Sequence, residues 1–179
     1  MTAPDPPIET RLERIAALAA EYRDDYEAFG YYIETMWDRE DRPAAELDAL
    51  VDAIAADVIP QIDCTACANC CRGLTVGLTP DDIPPLAEGL NLPPEHVIAR
   101  YVDRQGAQPH DEWGIFRGTP CPLLRGKLCS VYAHRPASCR DYPALTPDFL
   151  WQRANIFTGV GHCPIIFNVI ERLKQRLAW

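Results

Sequence analysis

The chain of 179 residues has no apolar run approaching the roughly 20 residues of a membrane-spanning helix. It also lacks a basic, apolar leader: Met1-Thr2-Ala3-Pro4-Asp5-Pro6-Pro7 is polar and proline-rich. There is no glycine-rich phosphate loop and no dinucleotide-binding fingerprint, and Gly159-Val160-Gly161 is too short to be either. No internal repeat is present. These absences exclude a membrane-spanning helical protein and the common nucleotide-binding enzymes, and the expected location is cytoplasmic. In that reducing setting clustered cysteines serve as ligands more often than as disulfides. A chain of this length also buries enough surface to stand without cross-links.

Acid is missing in one telling place. The chain carries 26 Asp and Glu, yet none lies between Asp63 and Asp81 and none from Trp113 to Arg140. Those two stretches hold seven of the eight cysteines. They also hold Arg72, Arg117, Arg125, Lys127, Arg135 and Arg140. The acids are concentrated elsewhere: residues 1–63 contain 16 of them against five Arg. Such a face repels nucleic acid and anionic membrane, so neither is an expected partner. A solvated helical surface accounts for it, with a docked protein partner as the alternative.

Four cysteines stand in the string Cys64-Thr65-Ala66-Cys67-Ala68-Asn69-Cys70-Cys71, and four more follow as Cys121, Cys129, Cys139 and Cys163. Thiolates at two-residue spacing converge on one point when the backbone turns tightly, which is how a thiophilic metal or an iron–sulfur cluster is held. All eight are therefore candidate metal ligands. Cys64, Cys67 and Cys70 match the run that supplies three corners of a cubane, and Cys121-Pro122 and Cys163-Pro164 are distant Cys-Pro pairs of the kind that supplies a fourth. The expected cofactor is an iron–sulfur cluster, 4Fe-4S. Zinc is the alternative, since eight cysteines can close two four-cysteine sites. Adjacent side chains diverge, so Cys70 and Cys71 are expected to serve different metals, or one of them to stand behind the ligands without touching the metal. His134 and His162 are the histidines placed to substitute as ligands. Arg72, Arg135 and Arg140 are candidates to screen the thiolate charge, although Arg at such positions also ties loops together by bonding carbonyls. Two functions follow: an iron–sulfur protein in electron transfer or cluster-dependent catalysis, or a structural zinc module for protein–protein interaction.

The expected fold is α-rich α+β. Ile8, Leu12, Ile15, Leu18, Tyr22, Tyr26 and Phe29 recur at helical steps, predicting a helix over 8–29 with Asp5-Pro6 at its start and Gly30 at its end. A second helix is predicted from Pro43 to Ile59, stopped by Pro60. Leu74, Val76 and Leu78 alternate with polar or small residues as a short strand does. Thr79-Pro80-Asp81-Asp82 reads as a helix start, ahead of short helices around 81–88 and 94–103. Trp113–Phe116 reads as a strand, and Leu123–Leu128 as a hairpin turning at Gly126. Phe149–Phe157 fits strand or helix, and a closing helix begins at Pro164. The division expected is an acidic helical region over 1–63 and a cysteine domain with its closing helix over 64–179, the two packed as one compact unit.

The ordered set Cys64-x2-Cys67-x2-Cys70-Cys71, Cys121-Pro122-Leu123-Leu124, Cys129-Ser130-Val131-Tyr132, Arg135-Pro136-Ala137-Ser138-Cys139-Arg140-Asp141-Tyr142-Pro143 and Gly161-His162-Cys163-Pro164 resembles the CxxCxxCC (YkgJ-type) zinc- or iron-chelating proteins. The resemblance covers residues 64–164 and leaves the metal open. A related branch includes flagellin lysine N-methylase, so methyl transfer is one implied chemistry, although no segment here is assignable to a methyl donor.

Overall fold

The computed structural model of the chain describes residues 5–39 and 42–179. The first four residues of the proline-rich opening lie outside them. The fold is α-rich with a few short strands, as expected. It divides into two compact units: a helical unit made of the residues before Cys64 together with Pro143–Trp179, and a cysteine unit, Cys64–Tyr142. The expected division differs at its second boundary, because Pro143–Trp179 groups with the N-terminal helices.

The helical unit contains α1 (Leu12–Glu21), α2 (Arg23–Arg39), α3 (Ala44–Val58), α9 (Phe149–Thr158) and α10 (Pro164–Arg176). The reason for the regrouping lies in α10, which buries Ile165, Ile166, Phe167, Val169, Ile170 and Leu173 and packs chiefly on α3. The apolar stripe of α3 (Leu47, Val51, Ile54, Val58) meets it. Polar ties reinforce the packing. Buried Asn168 accepts from Glu9 N–H at 2.9 Å and donates to Glu9 O at 2.8 Å and Pro164 O at 2.7 Å. Buried Arg172 pairs with Asp57. Asp48 accepts from the backbone N–H groups of Asp148 and Phe149, both at 2.9 Å, and so caps α9.

Two details of the first helix differ from expectation. The break falls at Tyr22, and the helix does not begin at Asp5-Pro6. The Glu9 carboxylate instead accepts from Thr10 and Arg11 N–H ahead of α1, and Asp5 pairs with Arg176. Gly30 does not end the helix: it lies inside α2, where a side chain would meet the Phe157 ring of α9 at ordinary contact distance, 3.7 Å. Phe149–Phe157, ambiguous in sequence, is helical.

The cysteine unit is built from shorter pieces. They are α4 (Cys64–Cys67), α5 (Asn69–Gly73), β1 (Gly77–Leu78), α6 (Ile83–Leu90), α7 (Pro94–Tyr101), β2 (Val102–Asp103), β3 (Gly114–Phe116), β4 (Leu124–Arg125), β5 (Leu128–Cys129) and α8 (Ala137–Asp141). Strands β1 and β2 flank β3, both antiparallel to it. Strands β4 and β5 form the expected hairpin, with Gly126 at φ 63° in its turn. A small apolar cluster (Leu78, Ile83, Leu86, Val97, Val102, Phe116, Leu123, Val131) joins these pieces, with Cys121 and Cys129 packed against it.

Candidate metal centre

The cysteine string does not form one helix. In a continuous helix Cys64, Cys67 and Cys71 would share a face. Ala68, buried and left-handed at φ 54°, breaks it into α4 and α5. Ala68 N–H bonds Cys64 O at 3.1 Å to close α4, and Leu74 N–H bonds Cys70 O at 2.9 Å to close α5. Arg72 Nη1 donates to Cys67 O at 2.9 Å and so ties the two turns together.

The later cysteines are brought in by backbone contacts. Cys121 N–H donates to Cys71 O at 2.8 Å, which fastens the segment before the hairpin to α5. Leu124 N–H bonds Cys121 O at 3.0 Å, leading into β4. Cys129 ends β5, directly across from Leu124. Cys139 occupies the middle of α8, with its N–H bonded to Pro136 O at 3.0 Å.

These four thiols act on one another electrostatically. Burial pushes Cys139 up to about 12, and the Cys121, Cys71 and Cys129 sulfurs push the same way. Burial also raises Cys121, with Cys71 and Cys129 adding to the shift, and it raises Cys129, with Cys71 adding. Cys71 goes the other way, to about 6, because the Cys70 thiol donates to it and the Arg72 and Arg135 charges favour its thiolate. The Arg135 charge also opposes the rise at Cys129 and Cys139. Cys71, Cys121, Cys129 and Cys139 are therefore near enough to act on one another, and the Arg135 charge acts on Cys71, Cys129 and Cys139.

Cys70 and Cys71 do not diverge as expected. Their Sγ atoms lie 3.9 Å apart, close to the sulfur–sulfur edge of about 3.8 Å in a tetrahedral zinc site. Among the described residues no three His, Cys, Asp or Glu donors are already drawn to metal-ligand spacing. The donor set nonetheless suits a thiophilic ion or cluster: half-buried sulfurs, a guanidinium beside them and no carboxylate in the two stretches that carry them. Cys67, Cys71, Cys121, Cys129 and Cys139 are thiols rather than halves of disulfides. Buried Arg135 Nε has no hydrogen-bond partner in the protein, as a group facing an absent acceptor would.

Of the remaining predicted residues, Cys64 is exposed at the start of α4, and Cys163 is buried at the N-terminal end of α10, in the helical unit. Arg140 Nη1 donates to Arg135 O at 2.6 Å, a loop carbonyl beside the site, and the Arg135 guanidinium lies 3.8 Å over the Tyr132 ring. His134 faces Glu88, with Nδ1 at 3.7 Å from its carboxylate. One residue escaped the sequence reading. Asp82 was expected only as a helix-start acid, yet its carboxylate reaches Ala137 N–H, 55 residues on. The Thr79/Asp82 spacing signals the capping box but nothing of that longer bond.

The comparison with protein families gives a match to the CxxCxxCC model, described as a putative zinc- or iron-chelating domain, over residues 63–157, more than half of the chain. The chain belongs to this family. Curated proteins and solved structures gave no match. Among the described residues no helix is long and apolar enough to cross a membrane.

Proposed function

We propose that the chain is an iron–sulfur protein whose cluster is held by cysteines of the cysteine unit and serves electron transfer. The backbone bond that fastens Cys121 to Cys71, with Cys129 on the hairpin that follows, carries the reading. Cys64, Cys67 and Cys70 precede Cys71 as a run of the spacing that holds three corners of a cubane. An iron–sulfur cluster supplies one-electron exchange. The protein's part is to fix the sulfurs, limit water at them and set the local charge. Arg72 and Arg135 offset thiolate charge, which favours the reduced, more negative state. Half-burial of Cys67, Cys70, Cys71, Cys121, Cys129 and Cys139 keeps the centre near the surface, within reach of a redox partner.

One observation favours a second reading, a structural zinc module. Cys121, Cys129 and Cys139 sit on or beside two-residue strands and a five-residue helix, pieces too short to hold shape alone. A zinc ion would tie them. Anaerobic purification from iron-replete cells separates the readings. Iron with acid-labile sulfide, and a reversible one-electron signal by electron paramagnetic resonance without loss of iron, supports the first. A colourless protein retaining only zinc overturns it and leaves the structural module. A metal-free protein that cannot be loaded with either overturns both.

A further inference from the structure

Among the described residues, Asp82 is one of the few charged side chains that are buried, 5% exposed. A carboxylate in such a place persists only if its oxygens are satisfied. Oδ2 accepts from Thr79 N–H at 2.8 Å while the Thr79 side chain accepts in return from Asp82 N–H, the capping box ahead of α6, and Thr79 Oγ1 also lies 3.0 Å from Oδ2. Capping alone requires nothing more, and Asp is rarely fully buried unless its charge is paired. Here Oδ1 is used as well. It accepts from Ala137 N–H at 2.9 Å. Ala137 is the first residue of α8, and Cys139 is the third. The same carboxylate thus sits at the N-terminal ends of α6 and α8, where its charge is favoured twice. A second tie, Ser138 Oγ to Gly77 O at 2.8 Å, fastens the same turn to β1. A five-residue helix has little stability of its own. Its position, and that of its thiol, is set by what grips its first turn.

We propose that Asp82 is a positioning residue of the metal centre, holding the first turn of α8 so that Cys139 meets Cys71, Cys121 and Cys129. The inference rests on the metal-binding reading above. Ile83, next in sequence to Asp82, and Leu86 lie in the buried apolar cluster, and the carboxylate ties that anchored end of α6 to a thiol more than fifty residues away in sequence.

The test uses cobalt(II) as the probe on the full chain and reads the thiolate-to-cobalt charge-transfer intensity per bound ion, with release to a chromophoric chelator. Ala137→Pro removes the donor while keeping the Asp82–Thr79 capping box. Proline suits the first position of a helix, and Pro136 already has the extended backbone (φ −54°, ψ 156°) that must precede it. Asp82→Ala removes the acceptor, and Asp81→Ala, at an exposed neighbour, is the control. Expected for Ala137→Pro and Asp82→Ala is a per-ion intensity lower by about a quarter, three thiolates in place of four, and release faster by about 10- to 100-fold. Cys139→Ser should give the same per-ion intensity, and adding Ala137→Pro to it should change nothing further. A merely destabilised protein would bind fewer ions at unchanged intensity per ion. If Asp82→Ala does not fold, Ala137→Pro decides. Wild-type intensity and release in folded Ala137→Pro would overturn the proposal while leaving the metal reading intact. Failure of the wild type to take up cobalt(II) would overturn a mononuclear four-thiolate site, and the role of Asp82 in it, while the iron–sulfur reading is decided by the anaerobic purification above.

Discussion

Trp37, Phe29 and Phe149 are fully buried in the helical unit, whereas the largest side chains buried to that degree in the cysteine unit are Leu78, Leu86 and Leu123. Helices α2 and α3 run 17 and 15 residues, while no helix of the cysteine unit exceeds eight. The first unit is held by apolar area on long amphipathic elements. The second joins two- to eight-residue pieces through a small apolar cluster, capping bonds and a set of thiols. The contrast teaches where a metal contributes to stability: where each piece alone is too short to hold.

The largest effect expected is therefore confined to one unit. Removing metal with a chelator, or substituting Cys121→Ser, should abolish most hydrogen-exchange protection across residues 121–141 and leave α3 and α10 protected. Equal loss in both units would break the comparison. Next in size is Phe29→Ala, which should destabilise the helical unit by about 3–5 kcal/mol in denaturant melts, with metal content per folded chain unchanged. A smaller effect, roughly tenfold in metal release, is expected for Arg140→Glu, because its guanidinium holds the Arg135 carbonyl beside the thiols. Arg11→Glu, on the acidic arm, should release metal at the wild-type rate; equal behaviour of the two variants would remove the role of Arg140. Gly30→Ala should stabilise the helical unit by about 0.5–1 kcal/mol, since the added methyl meets Phe157 at ordinary contact distance.

The smallest effect is on pH. The Arg11 guanidinium and backbone N–H hold the Glu9 carboxyl down at about 2, against an ordinary 4.5. A lowered folded-state value means the ionised form is favoured by folding. Its contribution is present above pH 4.5 and is lost as pH falls toward 2. The melting temperature of the helical unit should fall across that window, and Glu9→Gln should flatten the fall slightly. An unaltered slope in the variant would assign acid sensitivity to other carboxylates, such as Asp25, lowered by its bond from Lys174.

Much of this was legible in the sequence, because it is written in local periodicity and punctuation. Pro43 and Pro60 bracket α3, Pro164 opens α10, Gly126 turns the hairpin and Thr79-Pro80 starts the helix pair. The family was recognisable from the spacing and order of the cysteines. Long-range facts were not legible. Nothing local tells Gly30 to stay helical, since the aromatic residues that pack α2 come from α9 and the C-terminus. Nothing in the string Cys64–Cys71 announces the left-handed Ala68, a conformation usually left to Gly or Asn. The grouping of Cys71 with Cys121, Cys129 and Cys139 depends on a backbone bond spanning fifty residues, and so does the reach of Asp82. Such contacts are set by which elements pack together, and spacing does not encode them.

The helical unit is interrupted: its chain leaves after Asp63 and returns at Pro143. Seen from its own folding, everything between is a single connecting loop. The entropy of closing a loop grows with the logarithm of its length, about 0.6 kcal/mol for each doubling. The host is thus nearly indifferent to how long the insertion is. Lengthening or trimming the insertion by a few residues costs the helices almost nothing, and its tolerance to change is set by whether the sulfurs still meet. The helical unit can accept variation in the length of its guest, while the guest's own chemistry fixes which lengths persist.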